Sequence, residues 1–356
     1  MLGVAAAVAL AASCVAGSLL WAGRDSDESA SSIRVEPPVF SREFGASGPG
    51  ALKQPVGIAV DGARVFVADA GRGDVAVFST SGRFASALGT ATLETPVYVA
   101  LSPLDGRLYV SDRLSRTIEV FGVDGTFVRT FAPAGAAGEI AIRDWRPFAL
   151  AFADDGTLYV SDVGTHQRVI AFGPTGEYRG ETGDDLPKGP SGGSLSFANG
   201  LAVSGDLVVV ADSNNRRLLF LTRQLRFLRA VTFSGLPRGV LALNDGLFAV
   251  MDTTGGELLI LGPDGATLTR GASKGTAPGQ FYAPTGIATD GDGHVFVTDT
   301  GGSRVSVWAV AGAVRRNLLL EALADPRWWI VAIGALLGVG LAATAGFVAK
   351  KPSSTI

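Results

Sequence analysis

The chain has 356 residues, 47% hydrophobic and 18% charged, a composition that can bury a large core and excludes a disordered tail. Its 48 glycines are an excess and its 17 prolines are not, which favours many short strands joined by glycine turns. A net charge of −3 argues against nucleic acid as a partner. Because the single cysteine, Cys14, lies in an apolar stretch, the folded part has no disulfide and no thiolate metal ligand.

The chain begins with an apolar segment, Leu2 to Gly23, that is long enough to cross a bilayer as a helix. It is longer than the usual core of a signal peptide and lacks a small-x-small cleavage site after it, so we predict an uncleaved anchor over residues 1–23. A cleaved signal peptide and, through Cys14, a lipoprotein signal are the alternatives. Residues 24–38 are predicted to form a linker.

One phrase then recurs six times: a proline, a short apolar run, a glycine-containing turn, and apolar-Val-small-Asp. Each phrase is followed by a polar loop, a third apolar run and usually a turn into a fourth. A period of 40 to 50 residues with four short strands is typical of a β-propeller blade. The repeat aspartates that end the phrases are Asp69, Asp112, Asp162, Asp212, Asp252 and Asp299.

The repeat is incomplete at its two ends. The last copy stops after its third strand near Val310, and the segment from Val39 to Gly45 resembles a fourth strand without its first three. We therefore predict an all-β, six-bladed propeller over residues 39–310, with four-stranded blades and the N-terminal strand closing the last blade. Two insertions, Pro133 to Asp144 and Asp184 to Ser196, are predicted to be surface loops.

The phrases PTGIATDGDGHVFVTD and NGLAVSGDLVVVADSNNRRLLFL resemble NHL repeats, and the resemblance spans about Phe40 to Val310. It implies a fold and not a function, because NHL propellers serve as peptide platforms, RNA binders and receptor ectodomains, and related propellers are enzymes. Blade two has Tyr98 in place of the repeat glycine, and blade four has Ala198 in place of the proline. The late arginine of the repeat is replaced in three blades, by Asp74, Thr117 and Glu257.

The repeat aspartates are predicted to be structural, since a residue that recurs in every blade serves the blade itself. Each carboxylate is expected to accept backbone N–H bonds in the loop between the second and third strands. These loops all emerge on one face of the ring, where their polar residues form an arc. The candidate partner-binding residues in it are Arg113, Arg116, His166, Asn214, Asn215 and Arg216.

This arc is a candidate site for an acidic peptide, a carboxylated glycan or a partner domain, because arginine makes forked bonds to carboxylates. The alternative is an ordinary solvated loop face. Aromatic side chains do not interleave these arginines, which argues against RNA.

No catalytic, cofactor-binding or metal-binding residue is predicted. A propeller enzyme of lactonase or lyase type would need acids, amides or histidines around the central channel, and the chain has two histidines, His166 and His294, neither on an inner strand. The residues at the position after the repeat proline, where such ligands would lie, are Val56, Val97, Phe148, Asn199, Arg238 and Thr285, and three of the six are apolar. The sequence therefore predicts that the chain is not an enzyme, with a lactonase or lyase as the alternative.

Residues 311–327 are predicted to be a juxtamembrane linker, residues 328–349 a transmembrane helix, and residues 350–356 a short tail. Two tryptophans begin the helix and Lys350-Lys351 follow it, as interfacial anchoring requires. Small residues recur along it every four positions and would let another membrane subunit approach, although such residues are common in membrane helices: Gly334, Gly338, Ala342 and Gly346.

The expected protein is thus a membrane-anchored scaffold or sensor subunit that binds a protein or ligand. Arginines on the propeller side of both helices would favour a cytoplasmic propeller by the positive-inside rule. Large domains translocate largely regardless of charge, so we expect an extracytoplasmic propeller, in the periplasm or at the exterior of a bacterium.

Overall fold

The computed structural model describes residues 35–182, 186–190 and 195–314. These form six antiparallel sheets of four strands each, arranged as the blades of a propeller. Blade one comprises β2 (Pro55–Asp61), β3 (Arg64–Asp69), β4 (Asp74–Ser79) and β5 (Phe84–Leu88). Blade two comprises β6 (Pro96–Leu101), β7 (Leu108–Asp112), β8 (Thr117–Phe121) and β9 (Phe127–Thr130). Blade three comprises β10 (Pro147–Phe152), β11 (Leu158–Asp162), β12 (Arg168–Phe172) and β13 (Tyr178–Glu181).

The second half of the ring repeats this order. Blade four comprises β14 (Ala198–Ser204), β15 (Leu207–Asp212), β16 (Arg217–Thr222) and β17 (Phe227–Thr232). Blade five comprises β18 (Pro237–Ala242), β19 (Phe248–Asp252), β20 (Glu257–Leu261) and β21 (Thr267–Gly271). Blade six comprises β22 (Pro284–Thr289), β23 (Asp292–Asp299), β24 (Arg304–Val314) and, from the other end, β1 (Val39–Phe44). Single 3₁₀ turns cover Ser213–Asn215, Asn244–Gly246 and Thr300–Gly302.

The ring is held together by sheet faces that are apolar on both sides. In β3, Phe66 packs into a cluster with Val110 of blade two, whereas Val65 and Val67 pack into a cluster with Phe296 of blade six. Alternate residues of a strand point to opposite faces, so one strand contacts both neighbouring blades. This explains why the second and third strands are apolar at nearly every position.

The N-terminal strand closes the last blade, as predicted. β1 pairs antiparallel with β24, with Phe40 opposite Trp308 and their ring centroids 5.5 Å apart. The predictions of an all-β fold, six blades and four strands per blade are confirmed. No helix among the described residues is long and apolar enough to span a membrane, and the predicted helices at 1–23 and 328–349 lie outside those residues.

The first insertion, Pro133 to Asp144, was predicted to be a surface loop, and this prediction is wrong in part because the insertion contains a helix. Residues Gly135–Ile142 form a helix, α1, with Gly138 and Ala141 buried. Its composition, GAAGEIAI, contains good helix formers that the sequence reading treated as loop residues. The Ala141 carbonyl accepts a bond of 2.6 Å from Arg168 Nη2, which ties α1 to blade three.

The two faces of the ring differ in their connections. In every blade the first residue of the innermost strand pairs with the repeat aspartate, as Pro55 does with Asp69. The loops after the aspartates therefore share one face with the loops that lead into the innermost strands, and we name it the aspartate face. The tight turns between the other strands form the opposite, turn face. The described chain enters at the turn face, where Val39 pairs with Ala309, and leaves there at Val314.

Candidate functional site

The repeat aspartates are saturated by bonds from their own loops. Asp69 accepts backbone N–H bonds of 2.7 to 3.1 Å from Lys53, Gln54, Gly71 and Arg72. These donors come from two loops, the one before the innermost strand and the one after the second strand. The buried carboxylate thus fixes both loops of the aspartate face to the sheet.

In three blades a buried arginine also pairs with the aspartate. The distances are 3.2 Å for Arg168 Nε to Asp162, 2.7 Å for Arg217 Nε to Asp212 and 3.4 Å for Arg304 Nε to Asp299. We name Arg168, Arg217 and Arg304 the repeat arginines. Their guanidinium groups are engaged by carboxylates of their own blades.

A second set of arginines lies on the same face, at the border of blades two and three. Arg113, Arg116 and Arg146 surround a depression of about 440 Å³, together with Thr95 and Leu114. We name this set the arginine cradle. All three arginines are exposed, and within the described part of the chain their side chains have neither a hydrogen bond nor an ion pair. Leu114 is 64% exposed at the same place.

The backbone under the cradle is held firmly. Asp112 accepts N–H bonds from Leu114 and Ser115, and the Arg116 carbonyl accepts a 2.9 Å bond from the indole of Trp145. Arg116 takes a left-handed backbone with φ of +61°, which is uncommon for a side chain of its size. The loops are therefore ordered by buried contacts while the guanidinium groups extend into solvent.

The remaining predicted partner-binding residues lie elsewhere on the face. His166 lines a separate depression of about 520 Å³ beside α1, which includes Arg143 and Glu181 and so carries both charges. Asn215 is buried, with its amide 2.8 Å from Asp212, so it belongs to the interior of its loop. Asn214 contacts Ser196 at 3.3 Å, and Arg216 is exposed in that same blade-four loop.

The structure thus brings Arg113 and Arg116 together but separates them from His166, Asn214, Asn215 and Arg216. It adds Arg146, which the sequence reading missed. Its position directly before the repeat proline Pro147 could have indicated Arg146 as a candidate, because the loop before that proline also lies on the aspartate face.

The channel opens on the same face through a narrow mouth. Its lining residues are Val56, Tyr98, Phe148, Asn199, Arg238, Thr285 and Gly286. The space between them is about 10 Å³, room for roughly one water molecule. The mouth is more polar than the sequence suggested, because the side chain of Tyr98, at the position of the repeat glycine, lines it and that of Val97 does not.

Tyr98 fills the position that glycine occupies in blades one, four, five and six, and it lies between two parts of the channel. Besides the mouth it lines a cavity of about 280 Å³ whose other walls are almost entirely aliphatic. Burial raises the pKa of Tyr98 to about 12, so the phenol stays protonated at neutral pH. Among the described residues no group of three or more His, Cys, Asp or Glu side chains could hold a metal ion.

Comparison with known proteins agrees with this fold. A family model of the NHL repeat matches residues 281–308, in blade six, and together with the six blades it confirms the resemblance to NHL-repeat propellers. Residues 281–308 are therefore an NHL repeat within a six-bladed β-propeller. A search of the curated proteins found no match.

Solved structures with the same fold include two enzymes and a chain of a protein–protein complex. A streptogramin B lyase is 12% identical with a TM-score of 0.55, over 77% of this chain and 98% of the lyase. A gluconolactonase from Xanthomonas campestris is 17% identical with a TM-score of 0.56, over 77% of this chain and 95% of that one. A chain of a nidogen/laminin complex is 17% identical with a TM-score of 0.53, over 67% and 85%.

These neighbours correct the prediction that the chain is not an enzyme. Two of them are enzymes with the same fold, so the fold gives no ground for excluding catalysis. The channel mouth is also more polar than predicted, since Tyr98 joins Asn199, Arg238 and Thr285 there in place of Val97. Identities of 12% to 17% show the fold alone and assign no activity to this chain.

Proposed function

We propose that this NHL-repeat propeller is a binding module that captures an acidic segment of a partner protein in the arginine cradle. The observation that carries the proposal is the set of three exposed arginines around one depression, without an acidic partner in the described part of the chain. Every buried arginine of the repeat, in contrast, has a carboxylate beside it.

The charge and the volume of the cradle suit a segment that carries carboxylates, and the loops that form it are ordered. Each guanidinium can bind a carboxylate through two parallel N–H bonds. A depression of about 440 Å³ has the volume of a site for a few side chains. The exposed Leu114 adds an apolar contact, which favours a peptide with mixed acidic and apolar residues over a small inorganic anion.

The two predicted membrane helices bear on where this module would work. Helices at 1–23 and 328–349 would anchor the chain in a membrane. The propeller would then meet its partner in the periplasm or at the cell exterior. Protease treatment of intact cells tests this topology: cleavage within the propeller is expected, and complete protection by the inner membrane contradicts it.

Binding is tested with the full-length chain in detergent and a fluorescent peptide of alternating glutamate and leucine. Replacing Arg113, Arg116 and Arg146 by Glu is expected to weaken binding by about tenfold or more, because a charge-assisted bond contributes about 1.5–3 kcal/mol. The control variant carries the same change to Glu at Arg83 and Arg226, two exposed arginines of the turn face. Equal affinities of the cradle variant and the control variant would refute the cradle as the binding site.

A second candidate is an enzyme that acts on a small molecule at the channel mouth, which the polar groups there favour. The lining of the mouth contains no carboxylate or imidazole, so it does not fit a divalent metal. Assay of the full-length chain against small lactones tests this candidate: turnover that Arg238→Gln abolishes supports it, and turnover unaffected by this change contradicts it.

A further inference from the structure

Arg238 differs from the other arginines that lie within the ring. It is the only charged residue among those that line the channel mouth. Its Nε is buried and has no hydrogen-bond partner, and no carboxylate of the described chain pairs with it. Burial lowers the pKa of Arg238, in agreement with the missing counter-charge.

A buried donor without an acceptor costs free energy, so its presence needs a cause. Within the described chain, neither Asn199 nor Thr285 accepts a hydrogen bond from Arg238. The Asn199 amide nitrogen donates to Ser213 Oγ at 2.8 Å, and the Thr285 hydroxyl donates to the Val56 carbonyl at 3.1 Å. Arg238 therefore places one positive charge among the otherwise uncharged residues that line the mouth.

The rim beside Arg238 carries an aromatic pair. Phe148, which lines the mouth, contacts Phe197 with ring centroids 6.5 Å apart. Phe197 is 40% exposed and has a φ of +59°, a left-handed backbone that is strained for an aromatic residue. Its N–H donates to Gln167 Oε1 at 2.7 Å, which helps to hold the ring at the rim.

We infer that the channel mouth binds the carboxylate end of a small organic acid, with one oxygen beside Arg238 and the apolar body across Phe148 and Phe197. The space of about 10 Å³ admits one oxygen-sized group and not a whole molecule, so the ligand binds end-on. Tyr98 limits its depth, because the Tyr98 side chain lies between the mouth and the aliphatic cavity. A single cation with a narrow throat favours a carboxylate over a phosphate. This inference does not depend on the arginine cradle.

Calorimetric titration of the full-length chain with phenylacetate tests the inference, with its neutral analogue phenylacetamide and inorganic phosphate as comparisons. We expect phenylacetate to bind and phenylacetamide not to bind. Arg238→Gln should weaken phenylacetate binding by about 10- to 100-fold, as expected for the loss of a charge-assisted bond. Phe197→Gly should also weaken it, since glycine accepts the left-handed backbone and removes only the ring. Arg226→Gln, on the turn face, is the matched control.

Thermal unfolding without ligand separates binding from a structural role. Since Arg238 has no partner among the described residues, Arg238→Met should melt at the same temperature as the wild type or higher. A clear loss of stability would assign Arg238 a structural partner and overturn the inference. Equal binding of phenylacetate and phenylacetamide, equal affinity in Arg238→Gln, or preferential binding of phosphate would overturn it as well.

Discussion

The repeat arginines and the arginine cradle occupy the same face of the ring and yet have opposite environments. The side chains of Arg168, Arg217 and Arg304 are 14%, 6% and 5% exposed and paired, whereas the cradle side chains are exposed and unpaired within the described chain. Strand register explains the difference. A residue at the first position of the third strand lies opposite the repeat aspartate, as Arg217 lies opposite Asp212, and a residue in the intervening loop does not.

Blade two shows how a cradle arises from the same pattern. Thr117 holds the position opposite Asp112, so no arginine covers that carboxylate. The arginines of this blade stand in the loop instead, at Arg113 and Arg116, and point away from the sheet. Register thus decides which arginines stabilise a blade and which are available to a partner.

The largest expected effect follows from removing a repeat aspartate. Asp212→Ala would leave Arg217 as an uncompensated buried charge and the N–H of Ser196 without its acceptor. We expect the free energy of unfolding to fall by about 3–5 kcal/mol. Urea denaturation measures it, with Arg216→Ala in the same loop as the control, which should change stability by less than about 0.5 kcal/mol. Similar losses in both variants would contradict the distinction.

A smaller loss is expected from Arg304→Met. Asp299 keeps its backbone donors at Tyr282 and Ala283, so only the guanidinium bonds are lost. Those bonds include an ion pair of 3.0 Å with Glu43 of the closing strand β1. We expect a loss of about 2–3 kcal/mol, with faster amide exchange in β1. Unchanged exchange in β1 would show that Arg304 does not secure the closure.

The smallest effect on stability is expected at the cradle. Replacing Arg113, Arg116 and Arg146 by Gln should change the free energy of unfolding by less than about 0.5 kcal/mol at each site, because the exposed side chains have no partner in the described part of the chain. Urea denaturation again provides the measurement. A loss as large as that of Arg304→Met would place the cradle among the structural arginines.

Much of the fold was predictable because each repeat is defined by residues that lie close together in the sequence. The first residue and the aspartate of each phrase pair across two strands, as Pro284 and Asp299 do, and the recurrence of this pair marks the six blades. The closing strand was predictable because Val39–Phe44 had no other strands of its own. Helix α1 was missed because an insertion rich in alanine and glycine has no repeat to set its structure.

The site was less predictable, because it depends on residues that meet across blades. Arg113 and Arg116 stood out as additions to the repeat, whereas Arg146 joins them only through the packing of blade three beside blade two. At the channel, the sequence placed Val97 in the mouth, whereas Tyr98, at the position of the repeat glycine, lines it. The repeat shows that Tyr98 replaces a glycine, but it does not show where the larger side chain packs.

Photo-crosslinking tests the central proposal most directly. A peptide of alternating glutamate and leucine with a photoreactive group at one end is irradiated with the full-length chain, and the linked residues are identified by mass spectrometry. We predict crosslinks within the loop that carries Arg113 and Arg116 and around Arg146, and their loss in high salt, since exposed charge contacts are screened. Crosslinks concentrated at the turn face, around Arg83 and Arg226, would contradict a binding site in the arginine cradle.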